Sequence, residues 1–264
     1  AHGGKAEDAF HVVCPSLPGY GFSGTTQREQ VDTLAMAEMF AELMARLGYK
    51  KYIAQGGDWG AIITSNLAIV DADHLYGIHL NMPFGYALTE DPHEGLSPQE
   101  IDDVNDMSSF EAMETGYQKI QGTKPQTLGV GLNDSPAGLC AWITEKFYTW
   151  MDCDGDIESV LDKDDLLTNI SVYWFTQSIC SSTRLYYEVT QNARLKFLEQ
   201  PITVPLGVAR YPKEVMRFPR QWCENVYTQI VHWQDFDRGG HFAAMERPAE
   251  FLAEIRKFRT LVCG

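Results

Sequence analysis

Five residues, Gly56-Gly57-Asp58-Trp59-Gly60, constrain this 264-residue chain more than any others. They stand directly between a strand-like run, Tyr52-Ile53-Ala54-Gln55, and a helical pattern from Ala61 to about Val70. A chain that passes from strand to helix without a loop must turn within one or two residues. The residue at the tip is then strained, and its neighbours must be small to clear the strand and helix beside them. Gly56, Gly57 and Gly60 meet that demand, with Asp58 at the tip. The arrangement is a nucleophile elbow, and the helix behind it points its positive end, beginning with the Trp59 N–H, at charge developing on the tip residue. The alternative is a Gly-rich turn in which Asp58 is an ordinary N-cap.

The surrounding pattern suits the elbow. Ala9–Cys14 reads as a short buried strand, stopped by Pro15, Pro18, Gly19 and Gly21. Apolar residues at 36, 39, 40, 43, 44 and 47 make one face of a helix over 32–47, closed by Gly48. A further strand is expected over Tyr76–Leu80. Strand, helix, strand, helix, strand predicts a parallel sheet with crossover helices. After Pro83 the rhythm becomes helical. Ile101, Val104, Met107, Phe110, Met113, Tyr117 and Ile120 form one stripe, Ser135-Pro136 opens a helix reaching Trp150, and a third helix is expected from about Asp164 to Val189. Strands return at Thr203–Ala209 and Tyr227–Phe236, followed by a last helix from Pro248 to about Leu261. The reading is an α/β core, residues 1–83 and 199–264, with a helical insertion over 84–198.

An aspartate at the tip selects the chemistry. Serine there suits esters, whereas a carboxylate attacks an sp³ carbon and forms an alkyl-enzyme ester, as in opening a strained ring or displacing halide. Water must then hydrolyse that ester, which needs a base. Six of the seven histidines, His2, His11, His74, His79, His93 and His232, lie in polar loops or within strands and read as surface or structural. His241, in Arg238-Gly239-Gly240-His241-Phe242, follows the last strand and comes last in chain order, where the base is expected; the alternative is a satisfied loop histidine. Its orienting carboxylate is expected after the strand Thr203–Ala209, where Glu214 stands, with Asp235 and Asp237 as rivals.

Composition removes other classes. With 36 acidic and 21 basic residues the formal charge is −15 and no basic cluster offsets it, so nucleic acid is not an expected partner. No apolar run is long enough to span a membrane. The six cysteines (14, 140, 153, 180, 223, 263) have no metal-ligand spacing and read as reduced thiols, and neither metal nor cofactor is expected.

Four segments together resemble the microsomal-type epoxide hydrolases, a group that includes the juvenile hormone epoxide hydrolases. They are Pro15-Ser16-Leu17-Pro18-Gly19-Tyr20-Gly21-Phe22-Ser23, Gln55-Gly56-Gly57-Asp58-Trp59-Gly60, Leu132-Asn133-Asp134-Ser135-Pro136-Ala137-Gly138-Leu139 and Arg238-Gly239-Gly240-His241-Phe242-Ala243-Ala244. The likeness runs from about residue 11 to 260 in the same order and spacing. It implies an α/β-hydrolase core with a mostly parallel sheet and an inserted helical cap. Asp58 would be the nucleophile, His241 the base and Glu214 its acid, and the partner would be a small apolar epoxide. The resemblance also implies two cap tyrosines that hydrogen-bond the epoxide oxygen, at the positions of Tyr117 and Tyr186. Residue physics by itself favours core packing for both, because Tyr117 shares a stripe with Phe110 and Met113, and periodicity does not choose between Tyr186 and Tyr187. Trp59 and Trp142 are expected to line the pocket, and Trp150, Tyr173, Trp174 and Phe175 add aromatic character suited to an apolar ligand.

One family feature is missing. Its members carry a His-Gly-x-Pro segment after an earlier strand, where a backbone N–H helps to hold the oxyanion. His2-Gly3-Gly4 precedes the 9–14 strand and has no following proline. In this fold the strand before that segment lies between the 9–14 strand and the nucleophile strand, so its absence predicts a hole in the sheet. The chain starts at Ala1 instead of Met, and a fragment lacking its first strands and membrane anchor is expected. The full-length protein is expected at the endoplasmic reticulum membrane, attached only through that missing segment. Two other functions compete: a haloalkane dehalogenase-like hydrolase, and a non-catalytic ligand-binding or inert form of the fold.

Overall fold

The computed structural model describes residues 4–192 and 194–264; Ala1 lies outside them, as do His2 and Gly3 of the segment His2-Gly3-Gly4. Four strands, β1 (Tyr52–Gly56), β2 (Leu75–Leu80), β3 (Leu206–Arg210) and β4 (Ile230–Asp235), form one sheet in the order β1-β2-β3-β4. Every pairing is parallel, with Ala54 opposite Ile78, Leu80 opposite Val208 and Ala209 opposite Gln234. A parallel sheet needs apolar residues on both faces, and Ile78, Leu80, Leu206 and Val208 are accordingly buried. Helices α1 (Thr33–Arg46) and α2 (Trp59–Val70) supply Met36, Ala37, Ala61, Ile63 and Leu67 to that core.

Among the described residues, every helix or strand element between β2 and β3 is a helix. The elements are α3 (Pro98–Glu114), α4 (Gly116–Thr123), α5 (Pro125–Asp134), α6 (Pro136–Trp150), α7 (Lys163–Thr176), α8 (Ile179–Ser182), α9 (Arg184–Asn192) and α10 (Lys196–Glu199). Leu132, Leu139, Phe147, Ile170 and Ile179 give these helices an apolar cluster separate from the sheet's. The short helices α11 (Arg220–Cys223) and α12 (Ala243–Glu246) and the long α13 (Pro248–Cys263) complete the chain. No helix among the described residues is long and apolar enough to cross a membrane.

Three expectations are corrected. Residues 9–14 form no strand. A strand needs a neighbour within one ladder spacing of about 4.8 Å, and a cavity of about 590 Å³ separates Phe10, His11, Val13 and Cys14 from Tyr52–Gln55 of β1. The stripe over 101–120 is divided between α3 and α4 by Thr115, which turns Met113 out to solvent, 80% exposed. The helix expected over 164–189 becomes α7, α8 and α9. Gln177 ends α7 in the left-handed conformation, and the Ser178 N–H closes the turn on the Tyr173 carbonyl.

The elbow is as crowded as its glycines require at two of the three positions. A Cβ on Gly56 would lie 2.1 Å from the Gly60 carbonyl oxygen, and one on Gly57 would meet the Asn81 side chain at 2.6 Å. Gly60 has open space instead; its backbone is what Gly56 touches. Gly56→Ala therefore costs about 3 kcal/mol of stability, measured by denaturant unfolding. Stability within about 0.5 kcal/mol of the parent would contradict this packing.

Candidate active site

Each of the four parallel strands ends at the same edge of the sheet, and each places one polar side chain there. Asp58 follows β1, Asn81 follows β2, Glu214 lies in the loop after β3, and His241 lies in the loop after β4. Such an edge is where open parallel sheets collect their functional groups.

Asp58 adopts φ 52° and ψ −130°, a conformation costly for a non-glycine residue. That turn presents its carboxylate to a cavity of about 540 Å³ while keeping the carboxylate on the N-terminus of α2. Oδ1 accepts the Trp59 N–H at 2.5 Å, and Oδ2 lies 2.9 Å from His241 Nε2. Glu214 Oε1 lies 2.5 Å from His241 Nδ1 and also accepts the Val215 N–H at 2.8 Å. The three side chains thus form a continuous line, with His241 and Glu214 buried and Asp58 open to the cavity. The N-cap alternative for Asp58 is present in part, since it does accept an N–H of the helix it precedes.

Charge in this line is distributed unevenly. Burial raises the Asp58 carboxyl, but the hydrogen bond and positive charge of His241, with the Trp59 N–H, outweigh it and hold it below the ordinary carboxylate range. Burial disfavours charged His241, yet the Glu214 and Asp58 carboxylates prevail and push the imidazole well above its usual value. Both shifts favour the charged forms, a carboxylate on Asp58 and an imidazolium on His241.

The helices between β2 and β3 line the rest of the cavity. The Tyr186 ring packs edge-on against Trp59 at 4.9 Å and against Tyr117 at 5.7 Å. Tyr187, which periodicity could not separate from Tyr186, is exposed. Burial keeps both pocket phenols protonated, raising Tyr186 and Tyr117 well above the ordinary value, and the charge of Asp58 adds to it. Trp142 lines the cavity with its indole N–H on Gln121 Oε1, at 3.2 Å, and Trp150 stands edge-on to the His241 ring. Tyr173 lines the cavity too, its phenol pushed up to about 12 by burial and then by Asp58. Trp174 and Phe175 do not line it: Trp174 packs among the helices and Phe175 faces solvent.

Three further polar residues escaped sequence reasoning. Asn81 donates to Glu214 Oε2 at 3.4 Å and accepts from Gln55. Asp152 accepts the Gly239 N–H at 2.9 Å and pairs with Arg238. Glu246 accepts the N–H groups of Asp152 and Phe242 at 2.8 and 2.9 Å. With the His241 N–H on the Trp150 carbonyl, these bonds fasten the histidine loop to the end of α6. The rivals for the acid role, Asp235 and Asp237, do not touch the histidine; Asp235 pairs with Arg210. The remaining described histidines hold other posts: His79 is buried in the sheet, His232 pairs with Glu254, His74 with Asp71 and His11 with Tyr49, and His93 lies in a turn with its backbone N–H on Asp91.

A parallel sheet with a carboxylate on a strand-to-helix elbow, an acid in the loop after β3 and a histidine in the loop after β4 has the architecture of the α/β-hydrolase fold. A family model described as the alpha/beta hydrolase fold matches residues 4–127. A putative epoxide hydrolase of Stigmatella aurantiaca is 47% identical over 262 residues, covering 99% of this chain and 59% of that protein. Epoxide hydrolase 1 of Oryctolagus cuniculus is 39% identical over 289 residues, covering 99% and 62%. The crystal structure of juvenile hormone epoxide hydrolase from Bombyx mori superposes with a TM-score of 0.85 at 38% identity, covering 94% of this chain and 64% of that one. Over residues 4–127 the chain matches the alpha/beta hydrolase fold, and the relatives it resembles are epoxide hydrolases. It spans about six-tenths of the length of the curated relatives it matches.

Proposed function

We propose that the protein hydrolyses an apolar epoxide to a vicinal diol through an alkyl-enzyme ester on Asp58, with the helices over 84–198 serving as a cap. The observation that carries this reading is the line Asp58–His241–Glu214 opening into a cavity that also holds the phenols of Tyr117 and Tyr186. In the first step Asp58 Oδ2 attacks a ring carbon and the carbon–oxygen bond breaks. The two phenols donate to the ring oxygen as it becomes an alkoxide, and one gives up its proton. In the second step His241 Nε2 takes a proton from water, whose oxygen attacks the ester carbonyl formed at Oδ1. The resulting oxyanion lies against the Trp59 N–H; its collapse expels the diol's alkoxide, which takes the proton from His241, and the second proton of the water returns to the phenolate, restoring the carboxylate and the phenol.

The electrostatics support this order. Esterification neutralises Asp58, one of the two carboxylates that raise the His241 imidazole. That change lowers the imidazole's hold on its proton, the direction that favours a base at the stage when a base is needed. His241→Gln therefore lets the ester form and blocks its hydrolysis. Incubated with styrene oxide, the variant gains the whole mass of the epoxide, as ring opening expels nothing, and peptide mapping locates the gain at Asp58. An unmodified protein, or a gain elsewhere, would refute the two-step route.

One observation favours dehalogenation as a second reading: the Trp59 indole N–H is buried and lines the cavity beside Tyr186, where it could hold a departing halide. The paired phenols favour the epoxide. The aromatic walls suit an apolar substrate of either kind, arene or alkene oxide or terpenoid epoxide. Residence of the whole protein at the endoplasmic reticulum membrane is a further proposal, resting on the family resemblance and tested by fractionating cells that express the full-length protein.

A further inference from the structure

The loop that carries Glu214 is bracketed by two arginines, Arg210 at the end of β3 and Arg217 just beyond the acid. Both guanidinium groups turn to one carboxylate, Asp103 of α3, which is 1% exposed. Arg210 Nη2 bonds Oδ2, Arg217 Nε donates to Oδ1 at 2.8 Å, and Gln99 Nε2 adds a contact at 3.3 Å. Arg217 then reaches back with Nη1 to the backbone carbonyl of Glu214, at 3.0 Å, while its Nη2 bonds Asp106 at 2.6 Å. A planar fork that satisfies a carboxylate on one side and a carbonyl on the other fixes direction as well as distance.

Resting on the reading above, we propose that Asp103 is a positioning residue for the catalytic base. It fixes Arg217, Arg217 fixes the main chain of Glu214, and Glu214 sets the tautomer and direction of the His241 ring. Asp103 and Arg217 act at one remove, through Glu214 and not on His241 or Asp58 themselves. The helix that carries Asp103 belongs to the insertion, so α3 contributes to the second half-reaction although none of its residues lines the cavity.

The two half-reactions respond differently to its loss. Ester formation needs Asp58 and the phenols; ester hydrolysis needs His241 held by Glu214. Asp103→Asn keeps the side chain's size, removes the charge and turns an NH₂ toward a guanidinium. Misdirecting a base in this way slows hydrolysis about 10- to 100-fold. With hydrolysis limiting, kcat and KM for styrene oxide fall together by that factor and kcat/KM stays at the parent value. Arg217→Lys, which keeps the pair with Asp103 but lacks the fork that reaches Glu214, gives the same split. A purely structural role would lower the melting temperature and leave kcat and KM per folded molecule unchanged; that outcome overturns the proposal. A second readout needs no turnover. The proton between His241 Nδ1 and Glu214 gives a downfield NMR signal in the unreacted protein, and Asp103→Asn shifts or broadens it. An unchanged signal overturns the positioning role even if the protein opens no epoxide, and a shifted signal with no turnover in the parent would sink the reaction and leave the positioning role standing.

Discussion

Asp58→Ala reduces diol formation from styrene oxide on the order of 10⁵-fold or more, with the fold retained. The magnitude follows from the number of jobs the carboxylate does in the proposed reaction: it makes the first bond, supplies the carbonyl that water attacks, and expels the diol's alkoxide when the tetrahedral intermediate collapses. No substitute is at hand. Among the described residues that line the cavity, Asp58 is the sole carboxylate, and Glu214 is buried behind the histidine. The fold survives because the side chain's one local bond is to its own neighbour, Trp59, while the crowded contacts of the elbow belong to Gly56 and Gly57. Chromatographic measurement of diol over hours checks this. Activity within about 100-fold of the parent would mean that water attacks the epoxide directly, with Asp58 serving only as a charged neighbour.

Removing both phenols has the next largest effect. Tyr117→Phe or Tyr186→Phe alone lowers kcat/KM for an epoxide about 10-fold, because the remaining phenol still reaches the alkoxide; the double variant falls about 10³-fold. The rings keep their shape, so the contacts of Tyr186 with Trp59 and of Tyr117 with Trp150 persist and the pocket stays formed. The same double variant separates the two enzymatic readings. A departing halide needs no proton, so turnover of a haloalkane would be nearly unaffected, and a protein that loses only epoxide turnover is the one proposed. Equal turnover of epoxide by parent and double variant would return the tyrosines to the packing role that their helical spacing suggests.

The features visible in the sequence are those whose causes are local. Two adjacent glycines before Asp58 mark the elbow because the turn itself excludes a Cβ there. Glu214 and His241 could be found because each follows a strand, and parallel strands bring their ends to one edge whatever the intervening chain does. Tyr186 and Tyr187 could not be told apart. Neighbours on a helix differ by about 100° in direction, and which of them meets Trp59 depends on where α9 docks. Residues 9–14 have the composition of a strand, but a strand is a pairing, and across the cavity nothing lies within reach to pair with them. The break at Gln177 was hidden because glutamine is a good helix former and adopts the left-handed conformation only in answer to the packing around it. Asp103, Asp152 and Glu246 were the hardest to foresee. Each acts on a loop far away along the chain, and nothing beside it in the sequence records that partner.

The central claim, a covalent ester on Asp58, is tested most directly by one turnover in ¹⁸O-water with enzyme in excess over styrene oxide. The account predicts an unlabelled diol, whose new oxygen came from Asp58, and ¹⁸O in the Asp58 carboxylate on peptide mass analysis. Label in the diol at the first turnover, with Asp58 unlabelled, would contradict it.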